Sequence, residues 1–107
     1  MLNSVIVQGK ITSELKPKVI DNGRTLLLFT IVHTRDLPDS NGERAVDYID
    51  IVAWDGLANF IKGNFGVGDE VIIDGRLQVR SFKTDGKSRV KLMEVIAENA
   101  YFGRVKN

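Results

Sequence analysis

A chain of 107 residues, with 43% apolar and 27% charged side chains, has room for one domain with one hydrophobic core and is not disordered by composition. It contains no cysteine and a single histidine, which excludes disulfides and cysteine-based zinc sites, so no metal or other cofactor is expected. The first residues lack the basic and apolar regions of a signal peptide, and no apolar run approaches the roughly 18 residues that span a bilayer. We therefore expect a cytoplasmic protein without a membrane partner.

Five β-like segments follow one another along the chain, separated by turn signals. The second segment is apolar on both parities, which is typical of a strand covered on both faces. Asp85-Gly86, between the fourth and fifth segments, is a strong hairpin signal. The five segments cover residues 5–12, 25–33, 46–54, 70–82 and about 89–102.

A short helix is predicted between the third and fourth segments. Asp55 has the side chain of an N-cap, and Leu57, Phe60 and Ile61 fall on one helical face. The glycines within residues 63–68 then end the helix.

Three strands, one helix and a long hairpin, in this order, are typical of an all-β protein with the OB-fold, a five-stranded Greek-key barrel. Its short helix lies between strands three and four. Gly75 supports this fold, because a strand of a tight barrel must bend where no side chain crowds the corner. Without repeats or linkers, residues 1–107 are expected to form one domain. The alternative is another small antiparallel β domain with one packed helix.

Side chains alternate between the two faces of a strand, so parity predicts which of them point into the core. In the third and fourth segments one parity is aliphatic and the other mixes aromatic, polar and basic side chains. The predicted core residues are Ile49, Ile51, Ala53, Val71, Ile73, Leu77 and Val79. The predicted outward residues are Tyr48, Val52, Trp54, Arg76, Gln78, Arg80 and Phe82.

The outward faces combine aromatic rings with arginines. An unpaired base exposes a π-face on which a ring can stack whatever the base is, and arginine both pairs with phosphate and stacks. Tyr48, Trp54 and Phe82 are therefore candidate stacking residues of a surface that binds single-stranded DNA. The alternative is that these three rings pack under loops or fill a second small core.

Charge is distributed unevenly along the chain, although the net charge is only +1. Residues 46–74 contain six acids and one lysine, net −5, whereas residues 75–91 contain six bases and one acid, net +5. A basic stripe attracts phosphates, although an ordinary solvated strand pair would carry the same charges. The candidate phosphate-binding residues are Lys10, Arg76, Arg80, Lys83, Lys87, Arg89 and Lys91.

Catalytic interpretations find little support. His33, the only histidine, is predicted to be packed or to lie at an interface, and Asp47 and Asp50 differ in parity, so they form no carboxylate pair. The acids at the start of the fourth segment are interpreted as solvated charges at a strand edge, not metal ligands. The glycines of residues 63–68 lack the lysine and the following helix of a phosphate-binding loop. The sequence therefore predicts a protein that is not an enzyme.

Several short motifs, each weak by itself, occur in a specific order and spacing. They are Asn3-x-Val5-x-Val7-x-Gly9-Lys10-Ile11-Thr12, Phe29-Thr30-Ile31, Tyr48-Ile-Asp-Ile-Val-Ala-Trp54, Gly68-Asp-x-Val71-x-Ile73-x-Gly75-Arg76-Leu77-Gln78-x-Arg80-Ser-Phe82 and Glu94-Val95-Ile96-Ala97. Over nearly its whole length the chain thereby resembles the bacterial single-stranded DNA-binding protein (SSB) family.

The resemblance implies an OB-fold subunit that assembles into a homotetramer around which DNA wraps. By position, Tyr48, Trp54 and Phe82 are similar to three stacking positions of the family. A fourth position, in the loop after the second strand, falls near Leu37. Leucine cannot stack as an aromatic ring does, so the affinity is expected to be lower.

Single-stranded DNA and further copies of this chain are the predicted partners. Residues 5–7 and 26–29 are apolar on both parities, which predicts a subunit contact and a homo-oligomer. The resemblance to the family implies that this oligomer is a tetramer. Family members usually carry a long tail with an acidic, phenylalanine-ending tip that recruits replication and repair enzymes, whereas this sequence stops at Asn107. Replication or repair proteins are candidate partners, but recruitment through such a tail is not carried over.

The leading interpretation is sequence-independent binding and protection of single-stranded DNA in replication, recombination or repair. A second, from a different class, is a primosome-type OB-fold subunit that acts by docking another protein. A third is a small OB-fold hydrolase, against which the missing histidine and cysteine chemistry argues.

Overall fold

The computed structural model of the chain describes residues 1–86 and 88–104. Within them the five long strands lie within two residues of their predicted bounds, and one short strand is added. The elements are β1 (Val5–Ile11), β2 (Lys18–Val19), β3 (Thr25–Thr34), β4 (Val46–Trp54), α1 (Asp55–Asn64), β5 (Glu70–Thr84) and β6 (Ser88–Phe102).

The strands form one sheet that closes on itself. In hydrogen-bonding order the sheet runs β1, β5, β6, β4, β3 and β2, and an additional pairing of β1 with β3 completes a ring of the five long strands. The pairing of β4 with β6 is parallel, whereas the others are antiparallel. This ring, with α1 between its third and fourth long strands, confirms the predicted fold class.

The short strand β2 was not predicted. Lys18 and Val19 pair with Leu26 and Thr25 of β3, after a turn in which Gly23 has a φ of +80°. Two residues are too few to show the alternation that identifies a strand in a sequence, so this element depends on its pairing alone.

The hydrophobic core lies inside the ring and is covered by α1, whose Ala58 and Ile61 are buried in it. The core residues predicted from parity are buried or half-buried where the ring is closed, but one of them, further along β5, is exposed. Of the predicted core residues, Ile51, Ala53, Val71 and Ile73 are buried, and Ile49 and Leu77 are half-buried.

The prediction that Val79 belongs to the core is wrong, since this side chain is 52% exposed. β1 pairs with β5 only as far as Gly75, and β4 pairs with β6 no further toward the hairpin than Glu94. Beyond these points β5 and β6 continue as a two-stranded hairpin that projects from the ring, so both of its faces meet solvent. The hairpin turns at Asp85 and Gly86, whose φ angles of +47° and +71° confirm the predicted turn.

The start of α1 corrects a second prediction. Trp54 is the N-cap, with no side-chain capping hydrogen bond, and Asp55 is the first residue of the helix. Asp55 is therefore not the N-cap. Its carboxylate accepts hydrogen bonds from Arg24 and Thr25, residues that the sequence does not place near it.

The predicted apolar face of α1 is confirmed for Ile61, which is buried, and for Leu57, which is half-buried, but not for Phe60. The buried stripe runs through Ala58 and Ile61, so Phe60 falls at its edge and touches Phe65 edge-on, with 6.4 Å between ring centroids. In the described part of the chain, no helix is long and apolar enough to cross a membrane.

Gly75 lies where β5 and β6 change register. The pairing shifts between Asp74 and Gly75, which is the mark of a β-bulge and of a bend in the sheet. A Cβ atom at Gly75 would overlap the carbonyl oxygen of Ile96 on β6. The predicted requirement for a residue without a side chain at this bend is thereby confirmed.

Replacing Gly75 with alanine should lower the free energy of unfolding by about 1–3 kcal/mol, because β6 must move away from the new methyl group. Urea denaturation followed by circular dichroism measures the change. Gly63→Ala is the matched control, since apart from its chain neighbours and the backbone of α1 no atom lies within 4 Å of a Cβ at this position. It should be neutral or stabilise the protein by up to about 1 kcal/mol. Equal stabilities of the two variants would contradict the argument.

Candidate nucleic-acid interface

A groove of about 480 Å³ lies on the outer face of the sheet, across β3, β4, β5 and β6. It is open to solvent and combines aromatic, aliphatic and charged side chains. Its lining residues are Arg24, Leu26, Leu28, Val52, Trp54, Arg76, Gln78, Arg80, Glu94 and Ile96.

Strand register explains why these residues meet. Residues that pair across neighbouring strands point to the same face. Arg76 pairs with Ile96 of β6, Ile96 with Val52 of β4, and Val52 with Leu28 of β3. One row of side chains therefore crosses four strands and forms the floor of the groove, with Arg76 at one end. The predicted outward residues Val52, Trp54, Arg76, Gln78 and Arg80 are brought together here.

Trp54 is half-buried at the end of β4 and is covered on one side by Arg24. The guanidinium carbon of Arg24 lies 4.3 Å from the centroid of the tryptophan ring, a cation–π contact. Arg24 was not among the predicted site residues. It stands as an isolated base just after a turn, and only the pairing of Leu26 with Trp54 brings it to the ring.

Asp55 holds Arg24 in this position. The Nε and Nη2 atoms of Arg24 donate to Oδ2 of Asp55 at 3.0 and 2.8 Å, and the backbone N–H of Thr25 donates to Oδ1 at 3.0 Å. The hydrogen bond from Arg24, and after it that from Thr25, lowers the pKa of Asp55. The carboxylate therefore stays ionised at a lower pH than an isolated aspartate.

Arg80 is paired with an acid inside the groove. Its Nε and Nη2 atoms donate to the two carboxylate oxygens of Glu94 at 2.8 and 3.2 Å. Glu94 is only 7% exposed, so this fork geometry supplies a partner for a carboxylate that is largely removed from water. The charge of Arg80 is consequently compensated, which distinguishes it from Arg76, whose guanidinium donates to the neutral Gln78.

Tyr48 and Phe82 lie outside the groove. Tyr48 is 71% exposed and shares the outward parity of Trp54, six residues along β4, roughly 20 Å at the strand rise of about 3.4 Å per residue. Phe82 is 45% exposed on the projecting hairpin, two residues past Arg80. The three candidate stacking rings are thus separate platforms distributed along the surface, and none is fully buried.

The basic residues of the hairpin divide between its two faces. Phe82 pairs with Val90 and Arg80 with Leu92, on the face continuous with the groove. The pairs of Lys83 with Arg89, and of Ser81 with Lys91, have the opposite parity and lie on the other face. Lys83, Arg89 and Lys91 are exposed, and none of them has an ion pair within residues 1–86 and 88–104. Lys87 lies outside the described residues.

Lys10 and His33 line a different depression, of about 360 Å³, away from Trp54. Lys10 of β1 is exposed and pairs with Glu70 of β5. The Nδ1 atom of His33 is 2.9 Å from the carbonyl oxygen of Gln8, and the ring is half-buried. Leu37, at the fourth family position, is exposed in the loop between β3 and β4.

Asp47 pairs with an arginine from the loop that follows β3. Arg35 donates from Nε and Nη2 to both of its carboxylate oxygens at 3.0 and 2.9 Å. These hydrogen bonds lower the pKa of Asp47 and raise that of Arg35. The two residues therefore form a surface ion pair beside the loop, in which Asp47 compensates the charge of Arg35.

A closed ring of five long strands with a helix between the third and fourth, and an outward groove that contains Trp54 and three arginines, is the OB-fold of nucleic-acid-binding proteins. The model of the single-strand binding protein family matches residues 2–103. The chain therefore belongs to the single-strand binding protein family.

Individual relatives agree with this assignment. The chain is 34% identical over 111 residues to the single-stranded DNA-binding protein A of Bacillus subtilis, covering 100% of this chain and 62% of that protein. It is 32% identical to the single-stranded DNA-binding protein 2 of Listeria monocytogenes, covering 100% and 67%. The chain thus spans about two thirds or less of the length of these relatives.

The fold is also that of a solved structure described as a Plasmodium falciparum SSB complex with ssDNA. The TM-score is 0.83, and the match covers 95% of each chain at 21% sequence identity. At this identity the likeness concerns the fold.

Proposed function

We propose that this chain binds single-stranded DNA without sequence preference and protects it in replication, recombination or repair. The observation that carries the proposal is the outward groove, which is lined by the half-buried ring of Trp54 and by Arg76 and lies outside the hydrophobic core. Membership of the single-strand binding protein family supports it. Its members act by binding, and we propose no catalytic step for this chain.

Two kinds of contact would bind the DNA: aromatic rings that stack on bases, and basic side chains that pair with phosphates. Tyr48, Trp54 and Phe82 offer ring faces to unpaired bases, which a duplex would hide inside its own stack. The ring of an aromatic side chain does not read the hydrogen-bonding edge of a base, so the binding tolerates any sequence. Basic side chains elsewhere on the surface would contact the phosphates of the bound strand. These are Lys10, Arg76, Arg80, Lys83, Lys87, Arg89 and Lys91.

Titration of the Trp54 fluorescence with oligo(dT) tests the proposal, because the chain contains a single tryptophan. Stacking of a thymine on the ring should quench the emission, and an oligo(dA–dC) of equal length should bind with similar affinity. A duplex of the same length is the control and should bind far more weakly. Equal affinity for duplex and single strand, or no binding of either, would overturn the proposed function.

We further propose that the chain assembles into a homotetramer. Ile6 on β1 is 70% exposed and lies outside the groove, although it stands in a regular strand. Apolar side chains on the outer face of a sheet are typical of subunit contacts, and a two-fold axis beside β1 would bury Ile6 against its own copy. A tetramer also gives a DNA strand more surface than one small subunit offers.

The molar mass should therefore be about four times that of the 11.9 kDa chain, as measured by light scattering coupled to size exclusion at micromolar concentration. Ile6→Asp should reduce this mass, because a carboxylate cannot be buried there without a partner. Val19→Asp is the matched control, since Val19 is equally exposed on the edge strand β2, and it should leave the mass unchanged. A monomeric wild-type protein would contradict the prediction and favour a module that docks another protein.

A further inference from the structure

Arg24 and Asp55 lie at the tryptophan of the groove, and neither belongs to the candidate stacking or phosphate-binding residues. Arg24 immediately precedes β3, and Asp55 immediately follows β4. Because Leu26 pairs with Trp54, the ends of these two strands lie side by side. The three side chains of Arg24, Trp54 and Asp55 therefore meet at one edge of the groove.

The guanidinium of Arg24 has little freedom to move away from the ring. Both donor atoms of Arg24 go to the same oxygen of Asp55, at 3.0 and 2.8 Å, while the other oxygen is engaged by the N–H of Thr25. Asp55 itself has a φ of +53°, in the left-handed region that aspartate tolerates better than most residues. The carboxylate is thus fixed at both of its oxygens, and it fixes the guanidinium over the indole.

The position of the guanidinium decides which face of the ring a base can reach. Its central carbon lies 4.3 Å from the ring centroid. Stacked aromatic rings need centroid separations of about 4.5–7 Å, so a base and this guanidinium cannot occupy the same face. A base that stacks on this ring is therefore confined to the face opposite Arg24.

We propose that Arg24, held by Asp55, covers one face of Trp54 and makes this residue a one-sided stacking platform. A base then binds on the opposite face, in the order Arg24, Trp54, base. Arg24 acts on the ring by holding its orientation before DNA arrives, so less side-chain freedom is lost on binding. Asp55 is a positioning residue, since it acts through Arg24. This inference rests on the proposed function.

Collisional quenching of Trp54 by acrylamide tests the cover in the free protein, without DNA. Arg24→Ala should raise the quenching constant, because the second face becomes accessible. Asp55→Asn should raise it too, since the neutral amide still accepts from Thr25 but no longer attracts the guanidinium. Arg35→Ala is the matched control, as Arg35 is also paired with an aspartate but lies at the other end of β4, and it should change nothing. Quenching constants equal to wild type in both test variants would overturn the proposal.

Affinity for oligo(dT) tests the consequence for binding. Arg24→Ala should weaken it about two- to tenfold, because the side chain of Trp54 must then be ordered when the base binds. Arg24→Lys keeps the charge but not the planar fork, so it should remain weaker than wild type at both low and high salt. Wild-type affinity of the Arg24→Lys variant would show that Arg24 acts as a phosphate contact, and tighter binding of the Arg24→Ala variant would show that Arg24 obstructs the base. Either result would overturn the proposal. Failure of the wild type to bind oligo(dT) would instead overturn the proposed function, and the acrylamide experiment would still decide whether Arg24 covers the ring.

Discussion

Trp54→Ala should weaken the binding of oligo(dT) by about 1–3 kcal/mol, a range taken from single-strand-binding OB-folds as a class. Trp54 is the candidate stacking ring that lies in the groove, with Arg76 and the floor residue Val52 nearby. Its removal takes away a base contact and also exposes that floor to water. The loss should be measured by fluorescence anisotropy of a labelled oligonucleotide, since the variant has no tryptophan of its own.

Two further variants show whether the loss comes from stacking. Trp54→Phe keeps a ring and should recover most of the affinity. Phe60→Ala removes an exposed ring from α1, outside the groove, and should bind like wild type. Circular dichroism must show that each variant is folded. A folded Trp54→Ala variant with unchanged affinity would disprove the stacking role.

Binding should also weaken steeply with salt. Each phosphate contact on a single strand contributes about −0.7 to the slope of log affinity against log salt, so about five contacts would give roughly a hundredfold loss between about 50 and 200 mM. Lys83, Arg89 and Lys91 are exposed and uncompensated in the described part of the chain, so alanine at each should flatten the slope by about 0.7. Lys87→Ala should act in the same way on the evidence of the sequence.

Arg80 provides an internal contrast within the same hairpin. Because Glu94 already compensates its charge, Arg80→Ala should change the slope less than Lys83→Ala does. It should instead lower the stability, since it leaves a largely buried carboxylate without its partner. Lys62→Ala, on α1 away from the groove, is the control and should leave the slope unchanged. A slope near zero for the wild type would contradict any electrostatic role of these residues.

The five long strands, the helix and the hairpin turn of this protein could be predicted from the amino-acid sequence alone, whereas β2 could not. These features are local: alternation along residues 46–54 identifies β4, and Asp85-Gly86 supplies the positive φ angles of the hairpin turn. Alternation also predicted correctly that Trp54 and Arg76 point away from the core, because parity needs no knowledge of neighbouring strands. The bend at Gly75 was predictable because a glycine inside a strand is itself a local signal of a bend or bulge.

Tertiary structure alone decided what surrounds those outward residues. Glu94 neutralises Arg80 through the pairing of β5 with β6, and Arg24 covers Trp54 because β3 lies beside β4. The position at which the hairpin leaves the ring decided the exposure of Val79, and only the strand pairing assigned Lys83 to the face opposite Phe82. Each of these contacts joins residues from different strands. Periodicity along one strand describes its two faces but carries no information about which strand lies next to it, and at what register, so the electrostatics of the groove are set by the closed ring.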